Sequence, residues 1–523
     1  MKKLIIGIML LVVLFQVVYS EAAFAEVEYS QELFESLAVN KNKVPHIEIP
    51  DYKRIELENG LIVYLVEDHQ LPIIEIKGYI NGGRRQETKE LAGISSFMVE
   101  MMNTGTKHFN EKEMANYKDI NGIDFAFGVS NDYLSFAGSA LSTDTDELIS
   151  LMAEMLEEPK FNANHFTRVK QELYRGLVQA KTQESSLLDM YFYKNIYKNH
   201  PYSFDDDIDL NIAALSNITP ERLESFYDKN ISPANTIFAI VGDLDTKQME
   251  QMLYNYFNQW GMIEEDKEQE STENKQLKDK ESEVKSQEEA KEKSKYQDIE
   301  VEIKKPIVEI DRENYGKIIL VNKPDATQAK IKMGYNFFDN SFKDRIDFTM
   351  ANIVYGGGDF ESRLMNKLRT EKGFVYGIAA NDQYNELGGA YYISTEVKPE
   401  NTYQAIEGIK EEMSLIKNGE KKIKEDELFK IINLYNAFFP KSYKSKLSVI
   451  NRVIRDVELQ GRDIDYINKV IEEYNQLSAS KAQEVFAEYS YPQRFLTVIV
   501  GRKEEILPQF EEQEVDIEVV EIN

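Results

Sequence analysis

The chain has 523 residues, 42% of them hydrophobic and 11% aromatic, so it is too long for one core and apolar enough to build about two to four. Its 62 basic and 91 acidic side chains leave a net charge of −29, which repels nucleic acid and anionic membranes, attracts cationic peptides or proteins, and aids solubility. Cysteine is absent, which excludes disulfides, a thiol nucleophile and thiolate metal sites.

Lys2 and Lys3 precede an apolar run over residues 4–18 that is short for a membrane span, and Ala23-Phe24-Ala25 offers a small-x-small cleavage site. These features predict a signal peptide over 1–25 and a mature chain beginning at Glu26; an uncleaved anchor is the alternative. No later segment has the length and apolarity of a second span. The expected location is therefore outside the cytoplasmic membrane (extracellular, cell-envelope or periplasmic), without stable membrane insertion after signal cleavage.

A lead segment over 26–46 precedes a first folded domain predicted over 47–261. It opens with a strand, an Asn59-Gly60 turn and a second strand across residues 54–64. Residues 93–106 read G-I-S-S-F-M-V-E-M-M-N-T-G-T. Residues 147–156 place apolar side chains at helical spacing. Asn199, His200, Pro201, Tyr202 and Ser203 form a loop in which His200 reads as a hydrogen-bonding structural histidine rather than a ligand. Ser232-Pro233-Ala234-Asn235 leads into a closing strand ending at Val241-Gly242-Asp243.

A charged linker follows over 262–305. Residues 264–295 are almost entirely Glu, Lys, Gln, Ser, Asp and Asn, too polar to offset the entropy of ordering. The second domain, predicted over 306–515, opens near Tyr315-Gly316 and closes with a strand from Arg494 to Gly501. Residues 405–413 are again helical in pattern. An acidic tail is predicted over 516–523. Opening glycine to closing glycine spans about 180 residues in both halves, as in a duplication. Each half mixes antiparallel strands with helices, so the fold class is α+β.

Residues 93–106 resemble the zinc helix of the insulinase/pitrilysin peptidase family, whose inverted motif H-x-x-E-H sits in a frame G-L-x-H-F-L-E-H-M-x-F-x-G-T. Gly93, Phe97, Met101, Gly105 and Thr106 keep the frame. The chemical positions fall on Ser96, Val99 and Glu100. The family's third ligand, a glutamate about 80 residues beyond the first histidine, falls on Gln179, with Glu172 an acidic neighbour seven positions earlier. A hydroxyl, an alkyl group and a carboxamide provide neither a zinc site nor a base for a zinc-bound water. The His-Pro-Tyr and Ser-Pro-Ala-Asn stretches also fit the family.

In the second half, residues 355–364 match a G-G-G-x-F-x-S-R-L frame. Those glycines might be taken for a phosphate cradle, but no Gly-Lys-Ser/Thr follows, so a turn between packed elements is expected. Arg369 and Tyr376 sit at the seven-residue spacing at which active members hold a substrate carbonyl and stabilise the oxyanion across the chamber. In isolation such a pair would read as a surface arginine and a core tyrosine.

The resemblance covers residues from about 52 to 504 apart from the linker. It implies two homologous halves of repeated α+β units in a half-clamshell. No cofactor is expected in this chain, and zinc is expected in a partner. The chain should be inactive alone. Its expected role is that of the zinc-free subunit of a heterodimeric peptidase, in which Arg369 and Tyr376 complete the site of a zinc-bearing partner acting on unfolded peptides, with basic ones favoured. A non-catalytic peptide-binding or scaffold protein is the alternative, and a self-sufficient hydrolase using the altered site the third. No two of the five histidines stand at i, i+4. Glu100, Glu172 and Ser96 crowded into one pocket would suit calcium or magnesium rather than zinc.

Overall fold

The computed structural model describes residues 44–262, 312–358 and 361–522. The signal segment, the lead segment to residue 43, the linker beyond Met262, and Asp359 and Phe360 of the glycine frame lie outside the described residues. No helix among the described residues is long and apolar enough to cross a membrane.

In the first half, strands β1 (Lys53–Glu56), β2 (Ile62–Glu67), β3 (Ile73–Asn81), β4 (Asp124–Val129), β5 (Tyr133–Leu141) and β6 (Thr236–Gly242) form a six-stranded sheet in the order β1-β2-β6-β3-β5-β4. In the second, β7 (Ile318–Asn322), β8 (Ala329–Phe337), β9 (Val375–Gln383), β10 (Gly389–Val397), β11 (Leu496–Gly501) and β12 (Glu518–Glu521) give β12-β7-β11-β8-β10-β9. From the second position on, the orders coincide, as a duplication requires. Each half is thus built on a single sheet and is one α+β unit, not a pair of them.

The sheets are mixed rather than purely antiparallel. The closing strand inserts parallel to the opening one, β6 beside β2 and β11 beside β7. Their other neighbours, β3 and β8, run antiparallel to them. The acidic tail contributes to the fold: Val519 and Val520 pair with Leu320 and Val321 as β12 joins β7 in parallel. β12 occupies the edge that the antiparallel hairpin strand β1 takes in the first half.

The helices also correspond. The first half carries α1 (Ile94–Met102), α2 (Glu111–Ile120), α3 (Thr145–Glu157), α4 (Ala163–Ala180), α5 (Glu184–Tyr197), α6 (Ile208–Leu215), α7 (Pro220–Asn230) and α8 (Thr246–Phe257). The second carries α9 (Arg345–Asn352), α10 (Thr402–Lys417), α11 (Glu425–Phe438), α12 (Lys446–Ile454), α13 (Tyr466–Gln476), α14 (Ala479–Tyr489) and α15 (Lys503–Glu511).

Every residue of β6 and β11 is buried, so each sheet needs a cover on both faces. One face packs on the half's own helices: Val63, Leu65, Ile76 and Phe238 join Met98, Leu148, Met152 and Leu253 in one core. The other face is covered from the opposite half. Ile450, Val453 and Ile454 of α12 lie on Tyr64, Val66, Ile237 and Val241. Leu187, Leu188, Phe192 and Ile196 of α5 lie on Ile319, Val321, Val498 and Val500. This exchange of helices ties the described residues of the two halves, from His46 onward, into one compact unit.

Candidate functional site

α1 begins at Gly93, whose φ of +80° is left-handed backbone that favours glycine; a Cβ there would also stand 2.5 Å from the Asn211 side-chain oxygen. Gly93 has no side chain to cap the helix, and Glu87 does so from a preceding turn. Its Oε2 accepts from the Gly93 N–H at 2.8 Å and its Oε1 from the Ser95 N–H at 3.1 Å. Glu87 is buried, and that burial pushes its carboxyl up to about 7 from the ordinary 4.5, against the pull of the two N–H groups and Arg84. The folded state therefore holds this proton more tightly than the unfolded chain. The associated stability is present below about pH 4.5 and is lost as pH rises towards about 7. Denaturant titrations at pH 5 and pH 8 should show Glu87→Gln losing about 2–3 kcal/mol less than the parent across that window. Equal losses in the two proteins would remove Glu87 as the source.

Residues 96, 99 and 100 share one side of α1, as helical spacing demands. Ser96 is half-buried, Val99 is buried in the first-half core, and Glu100 is exposed. The opposite side packs on α4, where Phe97 stacks on Phe166 with ring centroids 4.7 Å apart. Arg84 stands beside the Ser96 hydroxyl: its Nη2 is 3.4 Å from Oγ, and its Nε is 2.9 Å from Asp205 Oδ1. Gln179 lies exposed in the last turn of α4.

Glu172, the acidic neighbour of Gln179, has charged partners of its own. Glu172 is held along its own helix by Arg168 at 3.0 Å, and the same guanidinium binds Glu111 of α2 at 2.8 Å. The i, i+4 geometry of α4 outcompetes a second acid for that carboxylate. Among the described residues, no group of three or more histidine, aspartate or glutamate side chains is placed to hold a metal ion. A buried valine, a hydroxyl facing a guanidinium and an exposed carboxamide do not fit zinc, which needs nitrogen, thiolate or carboxylate donors.

The second half brings its two candidates together. Arg369 lies in the π-helical turn Asn366–Glu371 and Tyr376 is the second residue of β9. The Arg369 guanidinium carbon is 5.2 Å from the centre of the Tyr376 ring. Tyr376 is 83% exposed, so it is not a core tyrosine. It projects from an edge strand: β9 pairs only with β10 among the described strands. The nearby glycines are close-packed. A Cβ on Gly356 would meet Leu364 at 2.6 Å and one on Gly357 the Ala380 carbonyl at 3.0 Å; instead of the expected turn they end a π-helical segment, Ile353–Gly357, that continues α9, and it is packed too closely to be a phosphate cradle. His200 is buried and accepts the Tyr202 N–H on Nδ1 at 3.2 Å, a local capping role.

Two features have no signal in the sequence. One is a polar cavity of about 330 Å³ lined from both halves, with Arg84, Tyr197, Asp205, Asp206, Gln383 and Asn385 among its walls. The other is a buried ion network around Arg85. Both are assembled from segments far apart in the chain, whose meeting periodicity does not encode.

A family model described as "Insulinase (Peptidase family M16)" matches residues 62–204, and one described as "Peptidase M16 inactive domain" matches 217–435, together more than half of the chain. An uncharacterized zinc protease, YmxG, of Bacillus subtilis is 21% identical over 368 residues, 70% of this chain and 78% of that protein. A non-peptidase homolog, YmxG, of Helicobacter pylori is 21% identical over 338 residues, 63% of this chain and 67% of that protein. Among solved structures, a peptidase M16 inactive domain from Pseudomonas fluorescens superposes with a TM-score of 0.69 at 18% identity, covering 86% of this chain and 98% of its own. A protease from Helicobacter pylori gives 0.70 at 18% identity, covering 87% of this chain and 100% of its own.

Proposed function

Because the chain belongs to the insulinase-type peptidase family, as a member of its inactive type, we propose that it is an exported, zinc-free subunit that pairs with a zinc-bearing relative and lends it Arg369 and Tyr376. The observation that carries this is a contrast between the halves. The positions that would hold metal are filled by a hydroxyl beside Arg84, a core valine and an exposed amide. The donor pair, by contrast, stands assembled, with Tyr376 exposed on an edge strand and Arg369 beside it in the preceding turn. A guanidinium and a phenol stabilise charge that develops on an oxygen, and they need no metal of their own to do it. The partner would supply zinc, as Lewis acid and activator of water. This chain's contribution would be to bind the peptide along a free sheet edge and to orient its carbonyl.

The purified chain is expected to contain fewer than about 0.1 zinc per molecule by elemental analysis after exposure to equimolar zinc. Stoichiometric zinc, or zinc-dependent hydrolysis by the chain alone, would defeat the assignment. Mixed with a zinc-bearing relative from the same genome, it should elute as a complex. A chain that binds peptides but forms no such complex would instead be a peptide-binding or scaffold protein of the same fold.

A further inference from the structure

The cavity described above lies where the two edge strands end. Val129 closes β4, and Ser130 and Asn131 follow it into the turn before β5. Gln383 closes β9, and Asn385 lies in the turn before β10. The floor comes from α5 and the His-Pro-Tyr turn. Tyr193 and Tyr197 lie parallel with centroids 5.9 Å apart, and Tyr202 stands edge-on to Tyr197 at 5.7 Å.

The charges in this cavity do not cancel. Arg84 is taken by Asp205. Arg85 is taken by Glu386 and Asp132. Lys332, on the far side of Tyr193, is taken by Asp189. The Asp206 carboxylate has neither an ion pair nor a hydrogen bond among the described residues. Burial, with Asp205 and Asp189 nearby, pushes it up to about 7 although Lys332 and Arg84 pull it down. A second, independent feature points into the same space. The Tyr197 hydroxyl is buried in a side chain only 4% exposed and has no hydrogen-bond partner. It faces the Asn385 amide without meeting hydrogen-bond geometry. The buried Gln383 Oε1 and the Asn385 Nδ2 are also unpartnered, the second a donor turned towards the Tyr197 hydroxyl rather than a further acceptor. Native proteins rarely leave such groups unmatched, and their grouping in one cavity leaves acceptors open to an incoming donor.

We propose that this cavity is a subsite for a primary ammonium group, received by the Asp206 carboxylate, the Tyr197 hydroxyl and the Gln383 side-chain oxygen. Three acceptors suit the three N–H bonds of an ammonium, and the tyrosine faces suit its charge. An anion would meet the uncompensated Asp206 carboxylate, while the cations beside it, Arg84 and Arg85, are already engaged by Asp205 and by Asp132 and Glu386. A metal ion would find only one carboxylate beside a neutral phenol and an amide oxygen, a weak donor set, and would face Arg84. The proposal deepens the peptide-binding role above, and it rests on that role only for the amine's origin. A strand added antiparallel to β4 or β9 has its amino terminus at the end of the edge strand where the cavity opens, which favours an N-terminal ammonium over a lysine side chain.

Calorimetric titration of the full chain, without any partner, tests this. The probes are n-butylamine, a lysine-free octapeptide with a free amino terminus, its N-acetylated form, and an N-acetylated octapeptide with one lysine. Butylamine should bind saturably, and Asp206→Asn should weaken it about tenfold or more. Tyr197→Phe should weaken it about threefold. Loss of peptide binding on acetylation identifies the terminus as the source, and binding of the acetylated lysine peptide identifies the side chain. No saturable butylamine binding, or equal affinity in parent and Asp206→Asn, overturns the subsite. Should Asp206→Asn lose its native circular dichroism, an unchanged affinity in Tyr197→Phe overturns it instead. Failure here leaves subunit pairing untouched, and failure of pairing leaves amine binding measurable.

Discussion

Arg369→Ala, assayed in the complex with a zinc-bearing relative, is expected to lower kcat/KM for peptide cleavage by about 10²–10³, the loss that follows removal of one preorganised oxyanion donor. The loss should fall mainly on kcat, because the donor meets charge that develops only in the transition state. Tyr376→Phe keeps the ring that carries the guanidinium and removes only the hydroxyl, so a decrease of about tenfold is expected. Elution of the complex should not change, since Tyr376 is 83% exposed and neither residue supports the core. Steady-state kinetics with a fluorogenic peptide decide it. Cleavage unchanged in both variants would remove the pair from the reaction.

The second large effect concerns stability. Arg85 is 1% exposed and lies at the junction of the halves. Its guanidinium binds Glu386 and Asn81, and Asp132 lies 3.6 Å away. Asp132 accepts the Glu386 N–H at 3.1 Å and also binds the Tyr202 hydroxyl, which in turn accepts the Leu387 N–H at 3.2 Å. These contacts fasten the β9–β10 turn of the second half to the first. Removing the cation leaves the buried Asp132 and the half-buried Glu386 carboxylates without it. Arg85→Ala is therefore expected to cost about 3–5 kcal/mol in urea unfolding, more than the ion pair itself contributes. Pairing it with Glu386→Gln should recover part of the loss, because one of the stranded charges is then absent. A cost below about 1 kcal/mol would show that solvent relaxes into the junction.

Much of the fold is legible in the sequence where local pattern decides. The hairpin around Asn59-Gly60 is β1 and β2, and the helical patterns at 147–156 and 405–413 lie within α3 and α10. The closing strands fall at β6 and β11. Long-range choices are not legible. The unbroken apolar run of β6 states that both faces are buried, but not that the parallel neighbour is β2 or that the cover is α12. The sequence marks 516–523 only as an acidic tail, yet backbone pairing of Val519 and Val520 with β7 needs no apolar side chain on every position. At the site, the frame of α1 locates Ser96, Val99 and Glu100. Arg84 beside Ser96 escapes notice because it arrives from a turn with no motif of its own. For Glu172 the spacing gives a helix face but not which arginine will claim the carboxylate.

The trade of helices α5 and α12 binds the history of the two halves together. A substitution at Phe192 is judged against Val498 and Val500, and one at Ile450 against Tyr64 and Val241, so neither repeat can drift or be discarded by itself. Metal ligands carry no such obligation, because their loss disturbs no sheet. That asymmetry gives a physical reason why a lineage can shed its chemistry at one surface and still inherit the whole architecture.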